Sequence, residues 1–328
     1  MNSFPDIRLR RLRQTTALRN MTNTPWPGPE KFIWPVFVRQ GKGICEPLSS
    51  MPGQNRMSPD VLLQELAPVV ASGISGILIF GLPEPELKDH CGTVACDPAG
   101  IVPETVQLVR TAFPNLIIAT DVCLCASTTH GHCGPLDATG AVDNDATNEL
   151  LAQVALAHAA AGAHLVAPSA MMDGQVGAIR NALDHSGHTN TAILAYSTKF
   201  ASACYGPFRE AENSTPQCGD RQGYQTSYRN PALALRESEL DAAEGADILM
   251  VKPSLFYLDI ISQLRATTKL PLAAYNVSGE YAMIIAAAER GWGNLNELVR
   301  ESLFAISRAG ADIIISYWAN RYNEVFEI

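Results

Sequence analysis

From residue 32 onward the chain repeats one unit: a short apolar, β-branched run, then a longer stretch with helical periodicity. The runs fall at 32–38, 76–80, 116–122, 163–169, 192–198, 246–253, 272–277 and 311–317. Helical patterns between them include 59–71, 145–161, 173–186, 231–244, 257–268, 280–290 and 294–309. Small-residue turns, Ala-Gly-Ala at 161–163, Glu-Gly-Ala at 244–246 and Ala-Gly-Ala at 309–311, end a helix just before a strand. Strands that are apolar throughout belong to a parallel sheet covered on both faces, and eight is the number that closes a (β/α)8 TIM barrel. An open doubly wound sheet is the alternative. It would carry a Gly-rich dinucleotide loop after an early strand, and none is present. No composition break divides the repeats, so the expected organisation is a segment at 1–31 followed by one barrel over 32–328.

The first segment is unlike the rest. Arg8, Arg10, Arg11 and Arg13 fall within six residues, and Thr24-Pro25-Trp26-Pro27-Gly28-Pro29 cannot continue a helix. A solvated arm, a nucleic-acid arm and an arm lying on another subunit all fit this pattern. The whole chain has 24 basic and 33 acidic side chains, a net charge of −9, which argues against nucleic acid as a partner. No apolar run approaches a membrane span, and residues 1–13 lack the apolar core of a secretory signal. A reducing cytoplasm is therefore the expected setting, and clustered cysteines read as metal ligands before disulfides.

In a TIM barrel the reactive groups stand where strands end at the C-terminal face. Lys199 and Lys252 each follow an apolar run on neighbouring staves. Two ammonium groups close together, partly desolvated, lower each other's pKa and supply a free amine that attacks ketones. A pair of rim lysines salt-bridged to loop carboxylates is the other reading. Cys123, Cys125 and Cys133 form a C-x-C-x7-C group with His130 and His132 nearby. Three thiolates suit Zn²⁺ and leave a fourth position open for catalysis. Free thiols, or a structural zinc completed by one of the histidines, also fit. Between the lysines lies a long polar loop carrying Arg209 and Arg221. It reads either as a lid whose guanidinium groups grip a substrate carboxylate, or as a surface loop with solvated arginines.

The chain resembles the 5-aminolevulinate dehydratase family, also called the porphobilinogen synthases, of the zinc-dependent type. The matching segments run almost end to end. They include Arg10-Arg11-Leu12-Arg13, Met51-Pro52-Gly53, the 121–134 cysteine segment, Val142-Asp143-Asn144-Asp145-Ala146-Thr147, Ala167-Pro168-Ser169, the surroundings of Lys199, Gly219-Asp220-Arg221, and the surroundings of Lys252. The resemblance implies condensation of two 5-aminolevulinate molecules to porphobilinogen, an early step of tetrapyrrole and haem synthesis. It implies that Lys252 and Lys199 form Schiff bases. It assigns Arg209, Arg221 and Gln225 to one substrate carboxylate, Ser278 and Tyr317 to the other, and Asp121 and Ser169 to the rest of the pocket. It makes Cys123, Cys125 and Cys133 the ligands of a catalytic Zn²⁺ and Glu237 a ligand of an allosteric Mg²⁺. It also implies an arm that embraces a second subunit, in octamers built from arm-linked dimers.

Overall fold

The structure is a computed structural model, and residues 7–326 are described. All eight apolar runs form strands: β1 Phe32–Arg39, β2 Gly76–Leu82, β3 Ile117–Val122, β4 Leu165–Pro168, β5 Ala192–Ala201, β6 Ile248–Lys252, β7 Leu272–Asn276 and β8 Ile313–Ser316. Neighbours pair in parallel from β1 through β8. β8 then returns to β1, with Phe32 opposite Ile314, and closes the barrel. Nearly every strand residue is buried, as expected for a parallel sheet with side chains filling one face and helices covering the other.

Helices Pro59–Ala71, Asn144–Ala161, Gln175–His185, Pro231–Glu244, Leu258–Thr267, Ser278–Glu289 and Leu295–Ala309 match the sequence pattern within a few residues. Asp143 caps one of them, its carboxylate accepting from the Ala146 N–H at 3.1 Å. Gly162 (φ 106°) and Gly245 (φ 106°) end two helices in the left-handed region directly before β4 and β6. The sequence pattern does not single out helix Ile101–Ala112 between β2 and β3. It is clearly amphipathic, burying Ile101, Val106 and Val109, but its first turn contains Pro103. Proline tolerated in a first turn reads from sequence as a break.

The first segment carries a one-turn helix, Leu9–Arg13, and a short helix, Thr16–Thr22, which stops before the proline-rich stretch. Its apolar side chains face outward: Leu9 is 75 % exposed and Met21 76 %. Trp26 reaches the barrel, edge-on to Phe304 at 5.0 Å between ring centroids. No helix among the described residues is long and apolar enough to cross a membrane.

Candidate active site

Lys199 and Lys252 are direct register partners on adjacent strands, beyond an irregularity between Ala195 and Thr198. Lys199 therefore lies within β5 rather than after it. The strand runs on because Phe200 is buried and a two-residue strand, Thr226–Ser227, pairs with Phe200 and Ala201. Both lysines are buried, Lys199 6 % and Lys252 4 % exposed. Neither enters a salt bridge among the described residues, so they are not rim lysines held by loop carboxylates. Lys199 Nζ donates to the Ser169 carbonyl at the end of β4, 2.5 Å away.

Lys252 points into a box of aromatic rings. Its Nζ lies 4.2 Å from the centroid of Tyr275, 4.8 Å from Tyr196, 5.0 Å from Phe208 and 5.5 Å from Tyr205. Ring faces favour the ammonium form. Burial, and next the charge of Lys199, win against them and push the Lys252 amine down to about 7. A lowered pKa means that free amine dominates above about pH 7 and ammonium below it. Accordingly kcat/KM for a ketone substrate should rise with pH through an apparent pKa near 7, falling about tenfold per unit on the acid side. A pH–rate profile flat from roughly pH 5 to 8 would show that this amine is not the nucleophile.

The cysteine segment leaves the end of β3 and folds back against the long loop between the two lysines. The Leu124 carbonyl accepts from the N–H groups of Ser127 (2.8 Å) and Thr128 (2.9 Å), and the Thr128 hydroxyl donates to the His132 carbonyl at 2.8 Å. Gly131 (φ 75°) makes the return turn against the Thr215 carbonyl, where a Cβ would stand 2.7 Å from oxygen. The turn brings the Sγ atoms of Cys123, Cys125 and Cys133 within 4.8 Å of one another. Hydrogen bonds from Cys123 and Cys125 hold the Cys133 thiol well below its ordinary value.

His130 and His132 face elsewhere, toward the His90 carbonyl at 3.0 Å and the Cys218 carbonyl at 2.9 Å. The three sulfurs, without either histidine, form the one such group among the described residues. Three sulfurs at mutual reach, two of them fully buried, fit a soft divalent cation with an open position.

The remaining residues gather around these two features. Arg209 lies on the short helix Gly206–Glu212, half-buried, with Nε unpartnered. Arg221 is buried, and its Nη2 donates to the carbonyls of Gly131 (2.9 Å) and Ser214 (2.6 Å). It therefore ties the long loop to the cysteine turn. Gln225 is 3 % exposed, and neither amide atom has a partner among the described residues. A buried amide without a protein partner is costly, so a polar ligand or water at Gln225 would be favoured. Asp121 Oδ1 is buried and has no partner among the described residues. Burial, and next the Glu212 carboxylate, push Asp121 up to about 7. Ser278 Oγ accepts from the Phe208 N–H at 3.0 Å and donates to the Cys204 carbonyl at 3.3 Å. Tyr317 shares a hydrogen bond with Tyr275, 3.1 Å between hydroxyls. Glu237 is not brought into this pocket. It stands half-buried on helix Pro231–Glu244, its pKa raised by burial and then by Asp173 and Glu244.

Three groups escape the sequence reading. The aromatic box assembles from β5, β7 and the lid. Glu212, 3 % exposed, sits with Oε2 3.3 Å from Cys125 Sγ. Glu280 accepts from the N–H groups of Ser254 (3.0 Å), Leu255 (2.6 Å) and Val277 (2.7 Å), joining the segment after Lys252 to the end of β7. Its position at the third residue of helix Ser278–Glu289 is the one sequence signal available for it.

Comparison with known proteins decides the family. The sequence profile of delta-aminolevulinic acid dehydratase matches residues 6–325. The chain belongs to the delta-aminolevulinic acid dehydratase family. A dehydratase of Synechococcus elongatus is 50 % identical over 319 residues, spanning 96 % of this chain and 97 % of that protein. The Bacillus subtilis dehydratase is 48 % identical over 312 residues, spanning 95 % of each. The crystal structure of the Toxoplasma gondii dehydratase, in complex with the reaction product porphobilinogen, superposes with a TM-score of 0.94 at 42 % identity. It covers 97 % of this chain and 91 % of the other. Membership makes the chain an enzyme of the lyase class and a metal-dependent one, and its barrel is that of the family.

Proposed function

We propose that this chain condenses two molecules of 5-aminolevulinate into porphobilinogen, releasing two waters. The observation that carries this reading is the register pairing of two buried lysines, Lys199 and Lys252, beside a trithiol cluster. The Lys252 free amine adds to the ketone of one substrate. The carbinolamine loses water, and a Schiff base remains. Lys199, one strand away, holds the second substrate in the same way. Two tethered molecules then react as neighbours rather than by chance encounter.

Arg209, Arg221 and Gln225 bind one substrate carboxylate, and Ser278 and Tyr317 the other. Asp121 and Ser169 complete the polar wall, Asp121 holding or releasing a proton near neutral pH. Cys123, Cys125 and Cys133 would hold the metal, which we assign as Zn²⁺. When bound it supplies Lewis acidity toward a substrate amine or carbonyl.

The outlying features fit the same enzyme. The exposed side chains of Leu9, Leu12 and Met21 suit residues 1–31 as an arm laid on a second subunit, and we assign the assembly as an octamer of arm-linked dimers around barrels spanning 32–328. Glu237, with Asp173 and Glu244 in its field, is the ligand we assign to an activating Mg²⁺. The enzyme is assigned to the cytoplasm.

Incubation with 5-aminolevulinate and Zn²⁺ should yield a pyrrole detectable by its colour reaction with an aromatic aldehyde. No pyrrole from the folded, metal-loaded protein would overturn the proposal. Arg209→Ala should raise KM about 10- to 100-fold, the worth of one charge-assisted contact of about 1.5–3 kcal/mol, with a smaller effect on kcat. Steady-state kinetics check this. An unchanged KM would place Arg209 outside the substrate site.

A further inference from the structure

Glu212 ends the short lid helix Gly206–Glu212, and Asn213 (φ 51°) then turns the chain sharply away. Its carboxylate is in an unusual position. Buried carboxylates are rare unless paired, because removing the charge from water is costly. Glu212 is 3 % exposed, yet among the described residues its one hydrogen bond comes from the Cys125 thiol at 3.3 Å. A thiol is a weak donor. Lys88 stands near enough to feel its charge, but its Nζ donates to the Asn213 carbonyl at 3.2 Å and forms no salt bridge among the described residues. The same cavity is lined by Glu212, Asp121 and Cys123, so this carboxylate lies on the inner side of the lid, against the thiol cluster. A buried carboxyl group with no salt bridge among the described residues, touching one of three thiols that suit a divalent ion, is placed where such an ion would gain an oxygen donor.

We propose that Glu212 supplies a fourth, displaceable protein ligand to the metal held by Cys123, Cys125 and Cys133. The inference rests on the trithiolate reading given above. Oxygen is an acceptable fourth donor beside sulfur for Zn²⁺. On metal binding the Cys125 proton would leave to solvent, and the Glu212 oxygen that accepts its hydrogen bond would be free to ligate the metal. Without that exchange the carboxylate would face a thiolate in a buried site, two anions with no shared proton. Arg209 is three residues earlier on the same helix. Seizure of a substrate carboxylate by Arg209 would therefore move Glu212 with it and open the fourth position to substrate.

The test uses the full-length protein loaded with Co²⁺ in place of Zn²⁺. Metal affinity is measured by chelator competition and ligand type by visible absorption. Glu212→Ala and the near-isosteric Glu212→Gln should each weaken Co²⁺ binding by about tenfold or more and shift the ligand-field bands. Circular dichroism establishes folding, and Glu212→Gln decides if the alanine variant fails to fold. Unchanged affinity, or weakened affinity with unchanged bands, overturns the assignment. Cys133→Ser separates the two readings. If it abolishes Co²⁺ uptake while the Glu212 variants match the wild type, Glu212 alone falls. If the wild type takes up no Co²⁺ at these thiols, the trithiolate reading falls and takes Glu212 with it.

Discussion

Lys252→Met is expected to lower turnover by on the order of 10⁴-fold or more while leaving the barrel folded. Methionine keeps most of the unbranched apolar stem inside the box of Tyr196, Tyr205, Phe208 and Tyr275, so packing is little disturbed. It removes a group whose neutral form is already disfavoured in water and favoured here. Thermal unfolding should therefore show a melting temperature equal to or above that of the wild type. Removing the amine removes the tether itself, so excess substrate cannot restore the rate. The companion measurement is covalent. Borohydride added with 5-aminolevulinate should reduce the Schiff base and leave one substrate fixed on Lys252, located by peptide mass. Labelling confined to surface lysines, or a Lys252→Met enzyme within tenfold of the wild type, would remove Lys252 from the mechanism. Lys199→Met is expected to be nearly as damaging but to leave the Lys252 adduct intact, because Lys199 holds the second molecule rather than the first.

The lysines and the cysteine trio were legible because each follows from local pattern. An apolar strand that ends in lysine is conspicuous on its own, and three cysteines in eleven residues need only a turn to meet. The eight staves were legible for the same reason, since all-apolar runs alternating with helical periodicity admit few arrangements. The surroundings were not legible. Tyr275 and Tyr196 look like ordinary buried strand residues, and only closure of the barrel brings their rings to within 5 Å of one ammonium group. Glu212 looks like any acid in a polar loop. Its burial comes from 87 residues of chain separation closing onto Cys125, and no periodicity reports that. Arg221 shows the converse. Sequence offers it as a substrate ligand, while the fold already engages one face of its guanidinium with the Gly131 and Ser214 carbonyls. A substrate carboxylate would thus meet an arginine already fixed in place, which lowers the ordering cost of binding.

Removal of metal should be the second large effect. Chelation is expected to reduce kcat by about 10²- to 10³-fold, corresponding to several kcal/mol of charge stabilisation lost at the reacting centre. Zn²⁺ added back should restore the rate, whereas Mg²⁺ alone should not, because buried thiolates select soft ions and Mg²⁺ requires oxygen donors and water. Cys133→Ser should reproduce the chelated state and resist rescue by Zn²⁺. Hydrogen bonds from Cys123 and Cys125 hold the Cys133 thiol below its ordinary pKa, which favours its thiolate. Its position is fixed by the turn at Gly131 that Arg221 clamps, so a hydroxyl placed there would keep the geometry and lose the soft donor. Borohydride trapping on Lys252 should survive chelation, since burial and next the charge of Lys199 are the largest influences on its amine. Full restoration by Mg²⁺ alone, or a chelated enzyme as fast as the loaded one, would place catalysis entirely on the two lysines and leave the three thiols without a chemical part.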